Sequence, residues 1–188
     1  ISRESSKAVR KAFAPKGIRE LPPKYPQDFG KFTRRLWDRV EPYTMTSQAR
    51  VANLEYATRH IVEHNIPGDF VECGVGAGGS MMAAALTLLE LGQRDRKIFL
   101  YDTFEGMPRP TERDVSVLGK PALRKWARKT KDGTSSWHNY PIEDVKNNLA
   151  STGYPNDQLH FVKGLVQDTL PDNDSEAICL LRLDTNLY

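Results

Sequence analysis

Between Ser47 and Asn65 the apolar positions recur every three or four residues. Val51, Leu54, Thr58, Ile61 and Val62 fall near one face, which predicts an amphipathic helix with Thr46 or Ser47 at its N-cap. Ile66-Pro67-Gly68-Asp69 stops it. The pattern then changes. Phe70–Cys73 reads as a short buried strand, followed by a glycine-rich turn and an Ala/Leu/Met helix over Ser80–Leu91 that Gly92 ends. Lys97–Tyr101 is a second strand closing at Asp102, and a long polar loop (103–120) leads to helices over Ala122–Lys131 and Ile142–Ser151. Leu159–Val162 and Ala177–Leu183 are the third and fourth strands. Short apolar runs alternating with helices predict an α/β fold, a doubly wound, Rossmann-like parallel sheet. Parallel strands bury both faces, yet the sequence stops just after the fourth strand. The expectation is therefore a fragment of a larger domain, truncated after that strand.

Composition narrows the class. The 188 residues suit one core, and 39% hydrophobic with 27% charged residues is ordinary for a globular chain. The longest apolar stretch, Met81–Leu89, is about half of the ~20 residues a membrane-spanning helix needs, so no membrane partner is expected. Only Cys73 and Cys179 carry thiols, both in apolar runs, which fits a reducing, cytoplasmic setting better than a disulfide framework. The start, Ile1-Ser2-Arg3-Glu4, lacks a signal-peptide pattern and an initiator Met, so the N-terminus is expected to be trimmed. The net charge of +3 is too small to imply nucleic acid, but it is unevenly placed. Residues 1–24 hold seven Lys or Arg against Glu4 and Glu20, ending in the stiff Leu21-Pro22-Pro23-Lys24-Tyr25-Pro26 stretch. Two regions follow: a basic arm with a lead-in helix (1–41) and an α/β ligand-binding domain (42–188). The arm also suggests a homo-oligomer in which it wraps a neighbouring subunit.

The chemistry concentrates in Glu72-Cys73-Gly74-Val75-Gly76-Ala77-Gly78-Gly79-Ser80. Gly74, Gly76 and Gly79 match G-x-G-x-x-G, while Gly78 and Ser80 complete the turn and open the helix. Such a strand–turn–helix lets a ligand approach the backbone. Asp102, with Thr103 beside it, ends the second strand where a carboxylate accepts both hydroxyls of a ribose. The ligand is thus a nucleoside derivative, NAD or S-adenosylmethionine. Glu72 separates them: a carboxylate beneath the turn repels a pyrophosphate and suits a ligand carrying an ammonium and a sulfonium. A turn that merely packs a helix on a strand leaves both acids unexplained. Trp137 is a candidate for stacking on adenine or substrate, and the loop 103–120 is long enough to serve as a lid. His60-Ile61-Val62-Glu63-His64 matches an inverted zinc-protease motif without an evident third ligand. Asn173-Asp174-Ser175 matches a glycosylation acceptor, with no secretory signal to support it.

Longer motifs carry a resemblance. Ile66-Pro67-Gly68-Asp69-Phe70-Val71-Glu72-Cys73-Gly74-Val75, then Leu100 through Pro108, resembles the macrocin O-methyltransferase family, the TylF/MycF-like enzymes of macrolide sugar biosynthesis. Pro42-Tyr43-Thr44-Met45-Thr46-Ser47, Phe161-Val162-Lys163-Gly164, Thr169-Leu170-Pro171 and Leu181-Arg182-Leu183-Asp184-Thr185 are similar to it in the same order, from about Pro42 to Tyr188. The resemblance implies a class I methyltransferase fold that uses S-adenosylmethionine and Mg²⁺ to methylate a sugar hydroxyl of a small-molecule acceptor. By motif, Glu72, Gly74 and Gly76 lie along the methionine portion, Asp102 holds the ribose, and Thr44, Met45, Thr46 and Ser47 lie near the cofactor entrance. Asp184 becomes the first metal ligand and the catalytic residue, the remaining acidic ligands lying beyond residue 188. Two positions depart from the pattern: Asn186 stands where a second Asp is common, and Ala77 replaces a bulkier residue. The alternatives are an NAD-dependent sugar oxidoreductase or epimerase, and a non-catalytic nucleoside-binding fragment.

Overall fold

A computed structural model describes residues 24–116, 118–132, 134–172 and 175–185. Most of the basic arm, Asn173-Asp174 of the glycosylation match, and Asn186 lie outside them. The chain enters through helix α1 (Lys31–Val40), which buries Leu36, Trp37 and Val40, and a 3-10 turn over Glu41–Tyr43. Helix α2 (Gln48–Glu63) begins where Ser47 Oγ accepts the Arg50 N–H at 3.4 Å, and it buries Val51, Thr58 and Ile61 as the spacing predicts. Strand β1 (Asp69–Cys73), helix α3 (Gly79–Glu90) and strand β2 (Ile98–Asp102) follow.

Helix α4 (Ala122–Lys129) ends two residues before the predicted Lys131. The Lys129 carbonyl is taken by the Ser136 N–H (2.8 Å) and Oγ (2.9 Å), turning Thr130–Lys131 (β3) back onto Thr134–Ser135 (β4) as a short hairpin. Helix α5 (Ile142–Ala150), strand β5 (Leu159–Lys163), the short helix α6 (Val166–Thr169) and strand β6 (Ile178–Leu183) complete the described chain.

The four long strands are parallel in the order β5-β2-β1-β6. The chain builds outward from β1 through β2 to β5, then crosses back to lay β6 on the other side of β1. That reversal makes the carboxyl ends of β1 and β6 the switch point where open α/β sheets hold ligands. One face of the sheet, with Phe70, Ile98 and Leu100, packs under α1, α2, α3 and α5 in a core that includes Met81, Met82, Leu88, Val145 and Leu149. Helix α3 is apolar on nearly every side because it lies sandwiched between α1, α2, α5 and the sheet. On the second face Val71, Cys73, Phe99 and Tyr101 pack against Val162, Val166 and Leu170. Leu181 and Leu183, in register with Val71 and Cys73, remain 49% and 65% exposed. Both cysteines are free thiols, Cys73 buried and Cys179 partly so. No helix among the described residues is long and apolar enough to cross a membrane.

Leu88 is fully buried at the centre of the helical face. Leu88→Ala is expected to cost about 2–5 kcal/mol in urea denaturation; a loss under about 1 kcal/mol would contradict its place in the core.

Candidate functional site

The glycine turn leaves β1 at the switch point. The Gly74 N–H donates to the Tyr101 carbonyl (2.9 Å), and the Asp184 N–H donates to the Cys73 carbonyl (2.8 Å), so β1 is held between β2 and β6 to its last residue. Gly74 has φ +86°, and a Cβ there would lie 2.6 Å from the Asp184 carbonyl oxygen. Glycine is thus required for β6 to deliver Asp184 beside the turn. Gly76, at φ +57°, differs: a Cβ there would meet nothing nearer than the Tyr140 ring at 4.0 Å. Its open side faces the cavity.

Asp102 shapes the turn from the neighbouring strand. Oδ2 accepts the N–H groups of Val75 (2.8 Å) and Gly76 (3.3 Å), and Oδ1 accepts the Phe104 N–H (3.0 Å) and the Thr103 hydroxyl (3.5 Å). The carboxylate is therefore fixed on the cavity wall before any ligand arrives. Gly79 lets the Tyr43 carbonyl pack against the start of α3, which brings Thr44–Thr46 to the cavity rim. There Thr44 Oγ1 accepts the Thr46 N–H at 3.2 Å, while Thr46 Oγ1 is buried without a partner.

These elements enclose a cavity of about 510 Å³, within the range of small-molecule sites. Of the residues expected from sequence, Thr44, Met45, Thr46, Gly74, Gly76, Ser80, Asp102, Thr103 and Asp184 line it. Four do not. Ser47 caps α2; Gly78 packs at the N-terminus of α3 against Leu149 and Val145. Trp137 lies under the Lys125 ammonium, 4.2 Å from its ring centroid, and its neighbour His138 reaches the cavity instead.

Glu72 is the fourth. It is fully buried, in register with Arg182 on β6, and Arg182 Nη1 donates to its Oε1 at 2.5 Å. Burial pushes the Glu72 carboxyl up to about 8, with Arg182 pulling against it. Burial works against the Arg182 charge too, but Glu72 and Asp184 outweigh it and hold its pKa above the usual value. Arg182 Nη2 donates to Asp184 Oδ2 at 2.8 Å, so one guanidinium spans the buried acid and the half-exposed one on the cavity wall. Glu72 thus lies behind Arg182, and the electrostatic distinction between NAD and S-adenosylmethionine read from it does not act through direct contact.

The sequence reading missed Arg182, Arg50 and Tyr140 on the cavity wall, while Met107–Arg109 belongs to the loop 103–120 singled out as a lid. Arg182 had a signal: a lone acid in a buried strand needs a counter-charge, and β6 carries one Arg among leucines. Two hydrogen bonds fix that loop stretch: Trp126 Nε1 donates to the Met107 carbonyl (3.0 Å), and the Met107 N–H donates to the Trp137 carbonyl (2.9 Å). His60 and His64 stack at 4.1 Å on α2, and among the described residues no group of three His, Cys, Asp or Glu side chains could hold a metal ion.

Residues 27–188 match the family described as macrocin-O-methyltransferase (TylF). The chain belongs to the TylF macrocin-O-methyltransferase family. The match starts before Pro42, so α1 is part of the family unit. Among relatives, a Streptomyces olivaceus protein named 8-demethyl-8-(2,3-dimethoxy-alpha-L-rhamnosyl)-tetracenomycin-C 4'-O-methyltransferase is 32% identical over 82% of this chain and 56% of its own length. Mycinamicin III 3''-O-methyltransferase of Micromonospora griseorubida is 29% identical over 78% and 55%. The chain spans little more than half the length of these relatives. The solved O-methyltransferase NovP superposes with a TM-score of 0.62 at 26% identity, over 76% of this chain and 55% of that one. Calicheamicin methyltransferase CalS11, at 18% identity and a TM-score of 0.52 over 83% and 66%, shares the fold.

Glu72 makes a prediction about pH. Its raised pKa means the folded chain keeps a proton that the unfolded chain releases, so its contribution to stability is full below about 4.5 and is lost as pH rises to about 8. The difference in unfolding free energy between wild type and Glu72→Gln, followed by denaturation from pH 4.5 to 8, is expected to move steadily against the wild type. A difference constant across that range would remove the buried acid from the account.

Proposed function

We propose that the chain is the nucleoside-binding part of an S-adenosylmethionine-dependent O-methyltransferase acting on a sugar hydroxyl of a glycosylated natural product. Family membership carries the choice of S-adenosylmethionine over NAD, and the activities for which the relatives are named support the acceptor class. The observation that carries the site is the open side of Gly76 beside the fixed Asp102 carboxylate, at the carboxyl edge of β1 and β2. The buried, partnerless Thr46 Oγ1 on the same cavity fits a polar ligand as well.

Bound there, S-adenosylmethionine supplies a methyl group already activated on sulfur. The protein's part is alignment and exclusion of water. Asp102 takes the ribose hydroxyls, its orientation set in advance by Val75, Gly76 and Phe104. The turn backbone lies along the methionine portion. Met107 and Pro108, pinned through Trp126, cover the cavity from the loop side. Asp184 Oδ1, with no hydrogen-bond partner among the described residues while Arg182 holds Oδ2, accepts the proton of the attacking hydroxyl. Magnesium, which the family resemblance implies, would find this one hard oxygen donor; the described residues supply no cluster to complete its shell, and no step here depends on it. The two free thiols support a reducing, cytoplasmic setting.

Transfer of labelled methyl from S-adenosylmethionine to a deoxysugar glycoside tests the reading. Asp102→Ala is expected to weaken S-adenosylhomocysteine binding by about 1.5–3 kcal/mol, the loss of hydrogen bonds to a charged acceptor. Unchanged binding would place the ribose elsewhere.

A further inference from the structure

The cavity wall carries three arginines and three aspartates: Arg50, Arg109, Arg182, Asp102, Asp114 and Asp184. The aspartates are all engaged. Asp102 accepts backbone N–H groups, Asp114 accepts the Thr111 N–H (2.6 Å) and hydroxyl (2.8 Å), and Asp184 accepts Arg182. Arg182 is engaged in turn by Glu72 and Asp184. Arg50 and Arg109 are left as exposed guanidinium groups with neither an ion pair nor a side-chain hydrogen bond among the described residues.

Their placement is not what solvation alone would select. Arg50 sits in the first turn of the 16-residue helix α2, where the unsatisfied N–H groups already present positive charge and a cation is disfavoured. An anion in the cavity reverses that penalty, because it is attracted by the helix end and the arginine together. Arg109 comes from a different element, the loop that Trp126 pins at Met107, so it is held at the cavity by an anchor of its own. Thr46 Oγ1, buried and without a partner, lies on the Arg50 side as a hydroxyl donor.

We infer that Arg50 and Arg109 form an oxyanion clamp on this cavity, taking a carboxylate or phosphate carried by the ligand. The inference rests on the nucleoside-binding reading and adds what that reading lacks, a counter-charge for an anionic group. Two sources present such a group: the α-carboxylate of the cofactor's methionine end, and a phosphorylated or carboxylated acceptor. A guanidinium forks onto either, each contact being a charge-assisted hydrogen bond.

Calorimetric titration of the purified chain and of the Arg50→Gln and Arg109→Gln variants separates these sources. Three probes are used: S-adenosylhomocysteine, 5′-methylthioadenosine, which keeps the nucleoside but has no carboxylate, and inorganic pyrophosphate. Thermal melts check that both variants fold. If the clamp holds the cofactor, each substitution weakens S-adenosylhomocysteine about 10- to 100-fold and leaves 5′-methylthioadenosine unchanged. If it holds an acceptor, the substitutions weaken pyrophosphate by a similar factor and spare S-adenosylhomocysteine. Equal binding of all three probes by wild type and variants overturns the clamp. Failure of the wild type to bind S-adenosylhomocysteine or 5′-methylthioadenosine instead overturns the nucleoside-binding reading, and the pyrophosphate arm then decides the clamp by itself.

Discussion

A carboxylic acid buried in the central strand of a parallel sheet is the constraint around which the site is arranged. Glu72 has no water to solvate it, and an unpartnered buried charge costs several kcal/mol. Arg182, the residue across from it on β6, meets part of that need, leaving the acid with a raised pKa, and then reaches on to Asp184. One guanidinium therefore joins β1 to β6 at the point where the strand order reverses, and aims an acid at the cavity. Gly74 permits the same approach in the backbone, since any side chain there would collide with the Asp184 carbonyl.

On the other side of β1 the logic repeats with a backbone partner. Asp102 spends its oxygens on the N–H groups of the glycine turn, so the turn and the acid at the end of β2 are built as one unit. This rigidity is what a nucleoside site requires: the polar groups are few and held in place before the ligand arrives. The loop after β2 is tied down through Met107 by Trp126 and Trp137, which makes it a wall of the cavity at rest.

The alternation of elements, the helix faces and the glycine fingerprint were legible because each is a local pattern with a local cause. The strand limits differ by a residue at most, and Ser47 caps α2 as its position suggests. What the sequence hid was pairing at a distance. Glu72 reads naturally as a ligand contact until β6 is placed beside β1 and the Arg182 side chain covers it. Trp137 reads as a stacking platform, yet in the fold it lies beneath Lys125 and leaves His138 to face the cavity. Arg50 and Arg109 belong to no motif; only the folded wall of the cavity brings a helix start and a loop together.

Titration of the purified chain with S-adenosylhomocysteine, with NAD as the comparison ligand, shows directly which nucleoside the glycine turn and Asp102 accept. Micromolar binding of the former is expected, with no binding of NAD at the same concentrations. Saturable NAD binding without S-adenosylhomocysteine binding would contradict it.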